Sequence, residues 1–357
     1  MSKKSKKLKS IMILHGPGTV GGIGWSLSSW QRARGFVSEN IVHDDFGMHQ
    51  LYDLNLRMSS FSKLRKRMLQ ISFFFFALFR YDLFHFYYNR TFLPLNLDLP
   101  ILRLFGKKII MTYCGSEVRL MCVEKQRNPY ADLLSLGTDK PKYDIRKKII
   151  MWWQNMWIHR FIAVRNLYDS AIKVIPEHKI TKTIWLNNLG FNSSDCFDPD
   201  VLTTRSRPVL VHAPSEKGIK GTKYVRQAID ELRNRGVEFD YREIYKVPNV
   251  EAQQIYQGCD IVIDQFIVGG IGTLAFEAFG YGKPLVSYVL QDVIDRDMPD
   301  CPVWNATIDN LADKLEYLIC QPKLRLELGR KGVEFVKQHL DYENIQNEVI
   351  RLYENLW

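Results

Sequence analysis

Residues 256–288 constrain the fold more than any other stretch of this chain. The β-branched run Asp260–Asp264 reads as a strand buried on both faces, the pattern of a parallel sheet. A loop with Gly269, Gly270 and Gly272 follows, then helical spacing from about Thr273. A second apolar strand, Pro284–Val289, begins after Gly280, Gly282 and Lys283. Glycines let backbone N–H groups close on a ligand, and the free N-terminus of a helix favours an anion. Thr273 and Glu277 are four apart and share one helix face near that terminus. A carboxylate there is badly placed for phosphate but well placed to accept bonds from ribose hydroxyls. The stretch therefore suits a nucleotide-diphosphate pocket.

The same strand–helix rhythm runs through most of the 357 residues and argues for α/β layers built on parallel sheets. In the first half the expected strands are Ser10–His15, Tyr81–Tyr88, Lys108–Tyr113, Arg160–Ala163 and Thr183–Leu186. Helical patterns fall near Ser26–Arg34, Phe61–Phe79, Pro94–Phe105 and Lys142–Trp157, and residues 124–143 read as an irregular loop with one short helix. The polar, turn-rich stretch Asn192–Pro208 reads as a linker. Beyond it come strand Val209–Ala213, helix Thr222–Gly236, strand Phe239–Ile244 and helix Val250–Gly258. The last 40 or so residues are expected to be helical, ending in Tyr342–Trp357.

The order Gly270, Ile271, Gly272, then Glu277-Ala278 and Gly282-Lys283-Pro284 resembles the C-terminal domain of retaining GT-B glycosyltransferases, particularly glycosyltransferase family 4. That family has two Glu eight positions apart; the second is kept here as Glu277, and Gly269 stands in place of the first. The resemblance implies that Glu277 binds the ribose and that Gly270, Ile271, Gly272 and Thr273 line the nucleotide. The Glu that helps hold the donor sugar is missing. Further back, Lys220-Gly221 resembles the family's Lys-Gly, whose Lys grips the donor diphosphate from a helix start. A fixed cation aimed at two phosphates that gain negative charge stabilises the transition state more than the ground state. Pro214 occupies the place of a family Arg, and Lys217 reads either as a second cation or as a solvated lysine.

In the first half, Gly16–Gly24 is a glycine-rich turn like that of the family's N-terminal domain, which puts Gly21 and Gly22 among the expected donor contacts. Its spacing is not a dinucleotide fingerprint, which disfavours an oxidoreductase. The run from Asp98-Leu99-Pro100 to Cys114-Gly-Ser-Glu-Val-Arg119 resembles a family run that ends in His-Gly-Ser-Asp-Val-Arg. Cys114 takes the place of the acceptor-facing His, as a catalytic thiol or as a small buried hydrophobe. Glu117 and Arg119 line the acceptor side or form a surface pair. The implied architecture is GT-B, with two Rossmann-like domains facing a central cleft. Residues 1–195 would form the acceptor side and 207–338 the nucleotide-sugar side. Residues 339–357 would be a helix crossing back to the first domain.

Composition narrows the partners. Hydrophobic content of 46% and charged content of 25% match a globular protein. A net charge of +10 calls for an acidic partner, yet no finger, zipper or RNA-binding motif is present, so nucleic acid is not expected. The six cysteines show no metal spacing, and no signal peptide is recognisable, so a cytosolic protein with reduced thiols is expected. No segment has the roughly 20 apolar residues of a membrane span. Basic charge beside aromatics in Phe61–Phe79 and Ile145–Phe161 suits either docking on an anionic membrane face or a core helix with a solvated end.

The expected reaction is glycosyl transfer from a nucleotide sugar to a glycan or lipid-linked acceptor, with retention and with neither cofactor nor metal. The alternative is a non-catalytic GT-B homologue that binds nucleotide or glycan as a partner subunit.

Overall fold

A computed structural model describes residues 9–18, 22–44, 51–134, 140–182 and 205–357. The chain divides into two units. The first comprises Met1–Leu120, Pro141–Gly190 and Glu343–Trp357; the second comprises Met121–Lys140 and Phe191–Tyr342. Residues 121–140 thus cluster with the second unit, whereas the sequence reading kept all of 1–195 together. Helix Met121–Arg127 overlaps the start of the irregular stretch, and Asn128 after it donates to the Ile267 carbonyl at 2.8 Å. The proposed linker lies almost wholly outside the described residues, as does the expected strand Thr183–Leu186.

Among the described residues, the first unit holds seven parallel strands: β1 (Met12–His15), β2 (Val37–Val42), β3 (Leu54–Asn55), β4 (Leu83–Tyr87), β5 (Lys108–Tyr113), β6 (Arg160–Ala163) and β7 (Ile180–Lys182). Their order is β3-β2-β1-β4-β5-β6-β7, with Ile13 of β1 in register with Ser38 and Leu83. β2 escapes the sequence reading because Ser38 and Asn40 break its apolar run. Both are nonetheless buried, since Ser38 donates to Gln31 Oε1 (2.7 Å) and Asn40 Nδ2 donates to the His15 carbonyl (3.2 Å). Hydrogen bonding removes the cost of burying them.

The final helix, Tyr342–Glu354, packs on this sheet through a buried polar network. Tyr353 Oη meets His85 Nδ1 at 2.6 Å, and His85 Nε2 meets Thr112 Oγ1 at 2.7 Å. Beside it, His15 Nδ1 accepts from the Tyr87 hydroxyl (2.6 Å) while Nε2 donates to Gln31 Oε1 (3.0 Å). Burial pushes His15 down to about 4, and burial together with the His15 charge pushes His85 well below the usual imidazole range. The fold therefore requires both rings neutral. The unfolded chain binds protons near pH 6.5 and the folded chain only near 4, so stability is complete above 6.5 and falls as pH drops towards 4. Going from pH 7.5 to pH 5 should cost about 2 kcal/mol from His15 alone. Urea unfolding at the two pH values checks this, and equal midpoints would contradict it.

The second unit holds β8 (Val209–His212), β9 (Asp240–Glu243), β10 (Ile261–Ile263), β11 (Leu285–Ser287) and β12 (Trp304–Asn305), all parallel, in the order β12-β11-β10-β8-β9. β10 sits centrally, with Val262 opposite Val211 and Leu285, and all three of its side chains are buried. That explains its unbroken apolar run. β9 is an edge strand, DYRE in sequence, and its charges discourage pairing with another chain.

Candidate functional site: a glycine loop around a buried ion pair

The chain leaves β10 at Asp264, crosses Gln265–Gly272 and enters helix Thr273–Gly280. Tyr288 N and Ser287 Oγ donate to the Gln265 carbonyl at 2.8 and 3.0 Å, and the Gln265 side-chain amide donates to the Gly270 carbonyl. The loop is thus pinned from both sides at the C-terminal edge of the sheet. Gly272 precedes the helix without any side-chain cap, and no acidic residue lies in its first turn. Neither the Gly272 position nor an acidic side chain of the first turn offsets the positive dipole end of this helix.

A second turn meets this loop. Helix Lys217–Lys220 ends at Gly221, which has φ +73°, and Phe266 N donates to the Lys220 carbonyl at 3.2 Å. A Cβ on Gly221 would lie 3.3 Å from Phe266 Cβ, so a side chain there would press the two turns apart. Behind them His212, fully buried, donates from Nδ1 to the Ile263 carbonyl and accepts from Thr222 Oγ1, each at 2.9 Å. Burial lowers its pKa, which keeps it a neutral strut.

Lys220 is brought to the centre by this packing. Its ammonium forms an ion pair with Asp264, whose side chain is 0% exposed against 11% for the lysine. A Cβ on Gly272 would stand 3.3 Å from Lys220 Nζ and 3.5 Å from Asp264 Oδ2. Glu277, half-buried on the helix, accepts a long bond from Gln253 Nε2 (3.4 Å). Burial raises its pKa, and the Asp264 charge adds to the rise. Burial first, and then the charges of Glu277 and Asp264, raise the Tyr256 hydroxyl. Ile271 is half-buried and Thr273 exposed at the same loop end.

The other candidates belong to other elements. Lys217 Nζ is 3.0 Å from Glu243 Oε1 and 4.8 Å from the Tyr245 ring centre, and Glu243 also takes two bonds from Arg226 (2.6 and 2.8 Å). Its charge is matched on the edge strand. In the first unit, Gly22 caps helix Ile23–Ala33 with φ +72°, while Gly21 lies outside the described residues. The Cys114 N–H donates to Glu117 Oε1 at 2.5 Å. Burial first, and the Glu117 charge second, push the Cys114 thiol well above its usual value, so it stays protonated and is a poor nucleophile. Burial raises Glu117 itself to about 7.

Two features were not foreseen. Asp264 closes an apolar strand in the sequence, and a carboxylate at the end of such a run needs a partner, which is a legible signal. Gly269, where the resembling family has Glu, has φ +70°, and a Cβ there would lie 2.7 Å from Leu290 Cγ. The loop itself excludes a side chain at that position.

No protein-family model and no curated protein sequence matches the chain. Solved structures do. HepE of Anabaena in complex with UDP-glucose is 12% identical, with a TM-score of 0.59 over 97% of this chain and 100% of that one. Sucrose-phosphate synthase of Thermosynechococcus elongatus is 12% identical, with a TM-score of 0.64 over 98% and 96%. WaaG, a glycosyltransferase involved in lipopolysaccharide biosynthesis, is 10% identical, with a TM-score of 0.61 over 94% and 99%. The chain has the α/β fold of the GT-B glycosyltransferases, built on two parallel sheets.

Proposed function

We propose that the protein is a glycosyltransferase, similar to family 4, that moves a sugar from a nucleotide donor to a glycan or lipid-linked acceptor with retention. One observation carries this reading: within one unit, Lys220 and the glycine loop meet at the start of the helix Thr273–Gly280 that carries Glu277. The loop N–H groups and Lys220 hold the diphosphate, and Glu277 accepts from the ribose. The bond from the anomeric carbon to the diphosphate breaks as the acceptor oxygen attacks on the same face. The acceptor proton passes to the leaving phosphate, so no enzymatic nucleophile is required. A protonated Cys114 is compatible with that route. The neighbours in the fold add support, since HepE was crystallised with UDP-glucose and with UDP.

A panel of nucleotide sugars incubated with the full chain and membrane-extracted acceptors tests the reading. Transfer to an acceptor is the expected result. Binding of nucleotide without hydrolysis or transfer would favour the non-catalytic homologue, which Gly269 and Cys114 motivate as departures from the family pattern.

The acceptor reading extends to an anionic membrane face on the cytoplasmic side. No helix among the described residues is long and apolar enough to cross a membrane. Helix Lys63–Arg80 instead exposes Leu64, Met68, Phe75 and Phe79 along one face, with Lys63, Arg65, Lys66 and Arg67 at its start. Phe79, 74% exposed, makes an edge contact with Phe105, next to Leu104 at 83%. Helix Asp144–Trp157, in the same unit, exposes Ile145, Ile149, Trp152 and Met156 at spacings of four, three and four. Apolar stripes of this size beside basic charge fit a surface that is greasy below and negative at its headgroups. The protein should sediment with vesicles containing phosphatidylglycerol. The double change Phe79→Ser and Leu104→Ser should weaken that at least ~10-fold, since each lost side chain forfeits roughly 1.5–3 kcal/mol of burial. Equal partition onto neutral and anionic vesicles would contradict the charge part of the reading.

A further inference from the structure

We infer that Asp264 is a positioning residue that holds Lys220 in an ion pair against the glycine loop and so weakens the grip of the site on a nucleoside diphosphate; this rests on the diphosphate reading above. The pair is built into the core rather than laid on the surface. Asp264 is fully buried, and it follows the last residue of the central strand. Its Oδ1 takes the ammonium, while Oδ2 has no hydrogen-bond partner among the described residues. Gly272 keeps both atoms within reach of the loop: the position where any other residue would carry Cβ is 3.3 Å from Nζ and 3.5 Å from Oδ2. A ligand that approaches over Gly272 therefore meets a cation and an anion side by side.

Two consequences follow from that pairing. A buried carboxylate with one partner is costly to leave alone, so Asp264 fixes the ammonium in place instead of letting it swing out to an arriving ligand. Lys220 retains two further N–H donors for phosphate oxygens. The charge of the pair sums to zero, so the diphosphate gains directed hydrogen bonds but little net Coulomb attraction. That arrangement orients the leaving group while allowing the spent nucleoside diphosphate to depart. With Asp264 neutralised, the site carries one more positive charge and should retain its product.

Titration calorimetry on the full chain reads this directly, with UDP and inorganic pyrophosphate as probes. Asp264→Asn keeps an acceptor for Lys220 and removes the charge. It should bind both probes at least ~10-fold more tightly, a gain expected for one added charge at this range. Its kcat for transfer should fall and its donor KM should fall with it, the signature of slow release. In the background Lys220→Gln the gain should vanish, because Asp264 acts through the lysine. Should Asp264→Asn fail to fold, Asp264→Ser, also able to accept a bond, repeats the test. Equal or weaker binding by a folded variant would overturn the inference, as would a gain that survives Lys220→Gln. If the wild-type chain binds neither probe, the diphosphate reading itself fails; if it binds them and the variant is unchanged, only the role of Asp264 does.

Discussion

Lys220→Ala should lower turnover at least ~100-fold, comparable to deleting one donor that stabilises a developing oxyanion. The size of the effect comes from where the ammonium sits. It is almost buried, fixed by Asp264 and a short reach from the loop at Gly272, so water is a poor substitute for it. The same change strands Asp264 in the core, which costs roughly 3–5 kcal/mol when one partner of a buried pair is removed. Loss of activity alone would therefore mix two causes. The double variant Lys220→Ala with Asp264→Asn separates them, because the stranded charge disappears while the cation stays absent. Its melting temperature should recover towards wild type, and its turnover should remain at least ~100-fold down. Recovery of both would make Lys220 a structural residue and remove it from the chemistry.

Restoring the acid of the resembling family, Gly269→Glu, should damage the protein rather than improve it. The backbone at Gly269 lies in the left-handed region, and a Cβ would press into Leu290 Cγ at 2.7 Å. Leu290 is itself buried and tied to this glycine by its own N–H, which donates to the Gly269 carbonyl at 3.1 Å. Strain at a positive φ costs about 1–3 kcal/mol, and overpacking a filled site costs a similar amount. A loss of about 3 kcal/mol in chemical denaturation is expected, with donor turnover falling as the loop is forced open. A variant that is as stable as wild type and transfers sugar faster would show that the glycine is a mere deletion of function.

The sheets were legible where burial is total. Ile261–Ile263 and Leu285–Ser287 carry runs of apolar residues that only a strand covered on both faces tolerates. The helix from Thr273 was legible from its periodicity, whereas Lys220, which ends the short helix Lys217–Lys220, stood out only through the family resemblance of Lys220-Gly221. What stayed hidden depends on contacts distant in the chain. β2 carries Ser38 and Asn40 inward because Gln31 and the His15 carbonyl meet them, and a local pattern cannot report that. Lys217 reads from sequence either as a second cation or as a solvated lysine, and no local pattern reports its pairing with Glu243, 26 positions on. The conformation of Gly269 is set by Leu290 across the loop, so the missing acid looked like a loss when the backbone has no room for it. Cys114 could be placed at a strand end, but its protonation depends on burial and on Glu117.

Hydrogen–deuterium exchange on the full chain with saturating UDP tests the central claim most directly, because it locates the ligand without requiring turnover or a known acceptor. The account predicts slower exchange at the Lys217–Gly221 turn and across the loop from Gly269 into the first turn at Thr273. Binding of UDP with exchange unchanged in both segments, or slowed only elsewhere, would contradict it.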